Sequence, residues 1–516
     1  MRSKNSFLTV ITSLIPIFIV GILGFIKTRL FIESLGSEAN GLIQMVYRIL
    51  GYLSLAELGL GGAIMYKLYK PIKDDDKEKI SIIITTATYY FRRIGLAILI
   101  FLFIGMFFIP LLIHNNTYEN IYIYVVFIIA GLPYAFEYIF YKQYYILIAA
   151  DQKQYINNII FNGSNIVYNL ILIIALLKNI NIFEYILISY PFVLLKAICL
   201  KKYVKKHYGY IKRTSKIDKE TINMSKDVFV HNIGDAINNS CDQLILSIFN
   251  GLTYVSIYTS YLYIVKYLKD ITGAILKSTL YSFGNLFASK DNNNGKSYRI
   301  FKEFLSFSCF LSILITVTFY YSIKSFIMVW IDNPEYIIDI LGILSFTFLI
   351  NTNIIIIPLN IVATANGLFK YTKYYSFINT FANVILSIIL MRKFEIGGIV
   401  SATILSTLLI WFPLVLKVVY KNLFYEHSKL DYIKQIIKSL LLSSMFIIII
   451  NLLNLQKYYS NNILNWLMIS TLCFLLTFLL TSIIYILTDK YFRNFIIRII
   501  ELFWKGGKNE NINCGS

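Results

Sequence analysis

Apolar runs of about 20 residues, broken by short polar or charged segments, recur along almost all of this 516-residue chain. An α-helix of that length spans the ~30 Å hydrocarbon core of a bilayer, and one soluble core could not absorb so many such runs. The composition agrees. Apolar residues make up 57% of the chain and charged residues 15%, against ~45–50% and ~25% in ordinary soluble domains. Disordered, collagenous and coiled-coil chains are excluded, and a soluble enzyme nearly so. A membrane β-barrel would show alternating segments of ~10 residues, and none occur. The expectation is an all-α polytopic membrane protein.

Fourteen spans are expected, at about 7–32, 41–66, 94–113, 121–148, 156–177, 180–200, 227–249, 252–277, 303–330, 336–361, 374–391, 396–420, 436–454 and 463–488. Residues 80–93, ending in Arg92 and Arg93, read as an extension of the third helix beyond the bilayer. With the N-terminus inside, most of the 48 basic residues fall in cytoplasmic segments, the loop after residue 200 above all. Both termini are therefore placed in the cytoplasm. The basic pair Arg392 and Lys393, assigned to an outer turn, runs against this pattern. The net charge of +20 is thus a topology signal that also meets anionic lipid, and no nucleic-acid partner is expected.

A faint internal repeat is visible. Arg29 and Gly41 correspond to Asp242 and Ser256, and Ala150, Asp151 and Asn169 correspond to Ala365, Asn366 and Asn383, at offsets between 213 and 215. The expected organisation is a six-helix lobe over 1–215, a second over 216–425, two further transmembrane helices over 426–488, and an amphipathic cytoplasmic tail over 489–516 that could lie on the inner membrane surface. The five cysteines lack CxxC spacing and the four histidines form no ligand motif, so neither a disulfide frame nor a metal site is indicated. There is no Walker A motif and no nucleophile–base constellation, and the loops are short and basic. Transport without covalent chemistry is the economical reading, and no enzyme activity is expected.

Ionisable side chains within a bilayer are expensive and face a cavity or a partner. Here they concentrate on certain spans: Arg48 and Glu57, Glu137, then His231, Asp235 and Asp242, then Lys266, Lys269, Asp270 and Lys277. His231, Asp235, Asn238 and Asp242 follow i, i+4, i+7, i+11 spacing, and Lys266, Lys269, Asp270, Gly273 and Lys277 follow the same one-face rule. Two such stripes on antiparallel neighbours could pair across a turn at Asn250-Gly251. Ion pairs that hold helices in register compete with a functional role for Asp242 and for Lys266/Asp270. Arg48 has no acid at i±3 or i±4, which favours function; Arg29, near the end of its span, could instead snorkel to headgroups. Glu57 lies among glycines (Glu57-Leu58-Gly59-Leu60-Gly61-Gly62) that permit close helix contact.

Several segments resemble Wzx-type polysaccharide flippases of the MOP exporter superfamily. They are Arg29-Leu-Phe-Ile-Glu-Ser-Leu-Gly36-Ser-Glu-Ala-Asn-Gly41-Leu, Leu55-Ala-Glu57-Leu-Gly59-Leu-Gly61, Ala150-Asp-Gln-Lys-Gln-Tyr155, and Asp242-Gln-Leu-Ile-Leu-Ser-Ile-Phe-Asn-Gly251 with Val255-Ser-Ile-Tyr258. The resemblance implies two six-helix lobes in a V around a central cavity. It implies flipping of undecaprenyl-pyrophosphate-linked oligosaccharide repeat units from the cytoplasmic to the outer leaflet of the bacterial inner membrane, for O-antigen or capsule synthesis. The implied partners are that lipid-linked glycan, membrane lipids, and a polysaccharide polymerase with its assembly proteins; the chain is expected to act as a monomer. Arg29, Arg48, Lys266 and Lys269 would contact pyrophosphate and sugar. Glu57, Glu137, Asp235, Asp242 and Asp270 would form cavity ion pairs or couple to a proton or sodium ion; no cofactor is implied. Lipid II flippases of the MurJ type are similar in span number and in using basic residues of the first, second and eighth helices. A MATE-like drug/cation antiporter is the other alternative, and it would prefer an acidic or aromatic cavity.

Overall fold

The computed structural model describes residues 2–53, 60–113, 117–212, 214, 216, 218, 241–277, 294–366, 368–453 and 462–509. Among these all the regular structure is helical, without a strand. Ten stretches are long and apolar enough to cross a bilayer. One of them, Tyr374–Leu423, is 50 residues long, and at ~1.5 Å per residue it covers two crossings. It breaks at Glu395 (φ 45°, ψ −127°), between the two spans expected at 374–391 and 396–420. The expected fourteen are not all present among the described residues: 54–59 interrupts the second span and most of 227–249 lies outside them. Span 252–277 forms a continuous helix whose Lys266, Lys269, Asp270 and Lys277 lower its apolarity.

The chain forms two compact units, Met1–Ser260 and Tyr261–Ser516. The first contains α1 (Arg2–Leu35), α2 (Ser37–Gly51), α3 (Leu60–Lys73), α4 (Lys77–Gly105), α5 (Asn120–Phe140), α6 (Lys142–Ala150), α7 (Gln154–Leu176), α8 (Ile182–Leu187), α9 (Ser189–His207) and α10 (Cys241–Phe249). The division falls inside α11 (Leu252–Lys277). α4 is a single helix of 29 residues that runs continuously through 80–93, and Asp76 caps its N-terminus by accepting from the Lys79 amide at 3.0 Å.

α1 and α7 are the most closely packed helix pair of the unit, and an asparagine face on α7 joins them. Asn158, Asn162, Asn165 and Asn169 stand at i, i+4, i+7 and i+11. Pro16 lies inside α1 and cannot donate to the Thr12 carbonyl one turn earlier. Asn162 supplies the missing donor, its Nδ2 lying 2.9 Å from that oxygen. Asn158 donates to the Thr9 carbonyl and to Thr12 Oγ1, both at 3.3 Å. In a bilayer every backbone polar group needs an internal partner, so this face completes the proline turn.

The second unit contains α12 (Asn294–Ile331), α13 (Ile340–Ile355), α14 (Ile357–Ala365), α15 (Phe369–Ser406), α16 (Phe412–Leu423), α17 (Leu430–Leu453), α18 (Ile463–Thr488) and α19 (Lys490–Asn509). A π-helical turn, Thr407–Trp411, links α15 to α16. α12 is the central helix and packs against α13, α17, α18 and α19. Its contact with α13 and α17 is polar. Asn351 Nδ2 faces Ser312, Thr316 and Ser443 hydroxyls at 3.3–3.5 Å, and Ser312 bonds Ser439 at 2.8 Å. One face of the tail helix α19 is taken up by protein: Arg498 pairs with buried Glu303 at 2.8 Å, and the Phe495 and Phe307 rings stack at 4.4 Å. Asp489 caps α19 through the Tyr491 and Phe492 amides.

One pair of the segments quoted for the repeat, Ala150-Asp151 and Ala365-Asn366, occupies matching local positions. α5 and α6 meet at Tyr141, and α6 ends at Ala150 with Asp151 as its cap; α13 and α14 meet at Ile356, and α14 ends at Ala365 with Asn366 as its cap.

Candidate functional site

The polar cluster of the first unit lies where α2, α10 and the start of α11 meet. Two glycines make the meeting possible. Gly251 holds φ 91° in the α10–α11 turn, a conformation that costs a side chain ~1–2 kcal/mol. Gly41 faces the Leu252 carbonyl so closely that a Cβ there would sit 1.8 Å from its oxygen. Beside it, Asn40 donates to Ser256 Oγ at 2.6 Å.

Arg48, in the last turn of α2, reaches into this junction. Its Nε donates to Gln243 Oε1 at 2.5 Å, and the Gln243 amide nitrogen donates to Thr259 Oγ1 at 3.1 Å, which fixes the amide orientation. Gln243 is buried. Arg48 forms no salt bridge among the described residues, but it lies within electrostatic reach of Asp242, Tyr258 and Tyr134. Asp242 accepts a 2.8 Å bond from Tyr258 on its Oδ2, while its shielded Oδ1 has no hydrogen-bond partner among the described residues. The junction thus holds a guanidinium oriented by a neutral amide, and a carboxylate satisfied on one oxygen. Such an arginine keeps its positive charge for an incoming anion, and its planar fork suits phosphate.

A second cluster of the same unit surrounds Glu137 on α5. Lys142 approaches its Oε1 to 3.5 Å, and Lys196 on α9 lies within electrostatic reach. Lys196 Nζ donates to Asn165 Oδ1 at 3.1 Å and sits 5.1 Å from the centre of the Phe161 ring. Glu137 is therefore a paired carboxylate.

The other expected site residues are placed as follows. Arg29 pairs with Glu33 one turn on, at 2.6 Å, with both side chains part-exposed. In the second unit, Lys266, Lys269 and Asp270 are exposed on α11, and Lys266 and Asp270 are not bonded to each other. Glu57 and Asp235 lie outside the described residues, as do His231 and Asn238. The structure also adds residues. Lys27 on α1 is partly buried and has no hydrogen bond or ion pair among the described residues. Gln243, Tyr258 and Thr259 shape the arginine site. Lys27 was visible as a cation inside an apolar run; Gln243 and Thr259 carry no signal until their helices are packed.

Just beyond α6, Asp151 accepts from Lys153 Nζ at 2.7 Å and from Tyr208 OH at 2.6 Å. Burial, and then the hydrogen bond to Asp151 and its charge, hold the Tyr208 phenol well above its ordinary range. Among the described residues no group of three His, Cys, Asp or Glu side chains is placed to hold a metal ion.

No protein-family model matches the chain, and no curated protein matches it. Solved structures do. One described as the lipid II flippase MurJ in an inward closed conformation superposes with a TM-score of 0.67 at 16% identity, covering 92% of this chain and 99% of that one. An inward-facing multidrug resistance MATE family transporter of the MOP superfamily gives 0.63 at 13% identity, covering 80% of this chain and 98% of that one. Identities this low speak for architecture. The chain is an all-helical, multi-pass membrane protein with the fold shared by MurJ and the MATE transporters of the MOP superfamily.

Proposed function

We propose that the protein is a flippase that moves undecaprenyl-pyrophosphate-linked oligosaccharide repeat units from the cytoplasmic to the outer leaflet of the bacterial inner membrane, for O-antigen or capsule synthesis. The observation that carries this reading is Arg48: a cation inside an apolar bundle, hydrogen-bonded to Gln243 and in no salt bridge among the described residues, with Asp242 only within electrostatic reach. A pyrophosphate diester would bring the oxygens that a bidentate guanidinium contact needs, and Lys27 offers a second cation on a neighbouring helix. Rocking of two lobes would expose the site to each leaflet in turn, with the lipid tail remaining in the bilayer. Lys266 and Lys269, with Arg29, are the other cations proposed for substrate binding. Asp242, with one oxygen unoccupied, is the leading residue for coupling to a proton or sodium ion; Glu57, Asp235, Glu137 and Asp270 are the other acids proposed for that role. The resemblance to Wzx segments and the fold shared with a lipid II flippase support a lipid-linked substrate.

Deletion of the gene followed by analysis of lipid-linked repeat units tests the proposal. Repeat units accumulating on the cytoplasmic leaflet are expected, and Arg48→Gln should reproduce that build-up in correctly inserted protein while Arg48→Lys partly relieves it. Accumulation of lipid II would redirect the reading to a MurJ-like flippase. Unchanged lipid-linked intermediates with altered drug resistance would sink it in favour of a MATE-like antiporter.

A further inference from the structure

α9 ends in four lysines: Lys201, Lys202, Lys205 and Lys206. All four are exposed, and none forms an ion pair or hydrogen bond among the described residues. Four other basic residues in this region are matched to acids, with Lys77 at Asp75, Lys79 at Asp76, Lys153 at Asp151 and Lys216 at Glu78, all at 3.6 Å or less. The sequence offers the α9 lysines no such relief, because no Asp or Glu occurs between Glu184 and Asp218. Their i, i+4 spacing places like charges beside one another, which is destabilising on an isolated helix.

The direction in which they point follows from the helix itself. Leu200 and Val204 are buried and mark the protein-facing side of α9. On the other side Leu194, Leu195 and Ile198 are about half exposed. By helical periodicity this apolar stripe runs straight into the lysines: 194, 198, 201 and 205 stand at i, i+4, i+7 and i+11. The exposed apolar part belongs among acyl chains. One to three turns further on, the same face reaches the headgroup layer, with the lysine stems lying over the boundary.

We infer that the inner end of α9 is a docking surface for anionic phospholipid headgroups, formed by Lys201, Lys202, Lys205 and Lys206 below the Leu194–Leu195–Ile198 stripe. This goes beyond setting topology, since it assigns the lipid contact to one helix face. It is independent of what the protein transports. The anion screens the lysine–lysine repulsion, and the continuous apolar stripe selects a phosphate that carries acyl chains over a free one.

The test uses the full-length protein in nanodiscs of phosphatidylcholine alone or of equimolar phosphatidylcholine and phosphatidylglycerol, reading the thermal midpoint and the lipids retained in native mass spectrometry. Anionic lipid is expected to raise the midpoint of the wild type. K201Q/K202Q/K205Q/K206Q should lose most of that rise, with preference for phosphatidylglycerol falling about fivefold per lysine. The charge-matched control K417Q/K421Q/K429Q/K434Q should keep it. The double variants K201Q/K205Q and K202Q/K206Q, each losing part of the effect, serve if the quadruple variant misfolds or inserts wrongly, and four Lys→Arg exchanges should retain it. Equal losses in the α9 and control variants would overturn the inference, as would an undiminished response in the α9 variants. So would a matching rise produced by inorganic phosphate in phosphatidylcholine discs.

Discussion

Asn162 and Pro16 offer a sharp test of how the first helix is held. Pro16 leaves the Thr12 carbonyl without its intrahelical donor, and Asn162 Nδ2 takes that place at 2.9 Å. Asn162→Leu keeps the branched shape and the number of heavy atoms and removes the donor. A buried carbonyl left unsatisfied costs ~1–3 kcal/mol against a water reference, but interhelical hydrogen bonds in membranes average ~0.6 and reach ~1.7 kcal/mol. Because Asn162 is part-buried, about 1 kcal/mol is expected, roughly a fivefold shift in the folding equilibrium. Restoring the N–H through Pro16→Ala lets residue 16 donate to Thr12 in the ordinary i→i−4 manner. In that background Asn162→Leu should cost close to nothing, giving a coupling energy of about 1 kcal/mol in a double-mutant cycle. The cycle is read from SDS-induced unfolding of the purified protein in mixed micelles, followed by far-UV circular dichroism. The same cost for Asn162→Leu in both backgrounds would refute the argument, because Asn162 would then contribute through something other than the proline-freed carbonyl.

Other substitutions separate the packing claims. Gly41→Ala drives a methyl against the Leu252 carbonyl and should cost more than ~3 kcal/mol or abolish folding, whereas Gly62→Ala, with nothing within 4 Å, should be neutral or stabilising by up to ~1 kcal/mol; thermal midpoints in detergent compare them. Asp489→Ala removes the α19 cap and the acceptor of Gln435 at 2.8 Å; a loss of about 2 kcal/mol is expected, with faster proteolysis of the tail, and an unaltered tail cleavage rate would contradict the capping role. Asn351→Leu should cost only about 1 kcal/mol although Asn351 is fully buried, because serine and threonine hydroxyls can turn back to carbonyls of their own helix; a loss of several kcal/mol in an unfolding titration would show that the network acts as a unit. Tyr258→Phe removes the one donor to Asp242 among the described residues, and is expected to change the pH profile of transport more than the yield of folded protein; an unchanged profile would remove Asp242 from the coupling role.

Much of the candidate site could be read from the chain. Arg48 stood out as an ionisable residue in an apolar run without a local acid, and Asp242 as the end of a polar face; the structure brings both to one helix junction. The partners were harder to foresee. Asp242 is met by Tyr258, and Arg48 by Gln243, residues that look unremarkable in sequence because a polar side chain gains meaning only from what lies opposite it. Arg29 shows the converse. Its acid, Glu33, was four residues away all along, and the pairing is a local property of the helix. The asparagine face of α7 was also periodic in the sequence, but its purpose depends on a proline in another helix.

The sequence alone determined that this chain is a bundle of membrane helices, where most of them run, and on which of them charge is tolerated. These are properties of single helices, fixed by hydrophobic length and by the 3.6-residue period. Tertiary structure decided which polar groups meet. It placed Gly41 against Leu252, so that α2 could approach α11 and carry Arg48 to Gln243, and it set Asn162 beside the carbonyl that Pro16 leaves open. Hydrogen bonds require donor and acceptor within ~3 Å and near alignment, and between helices distant in sequence only close packing supplies that.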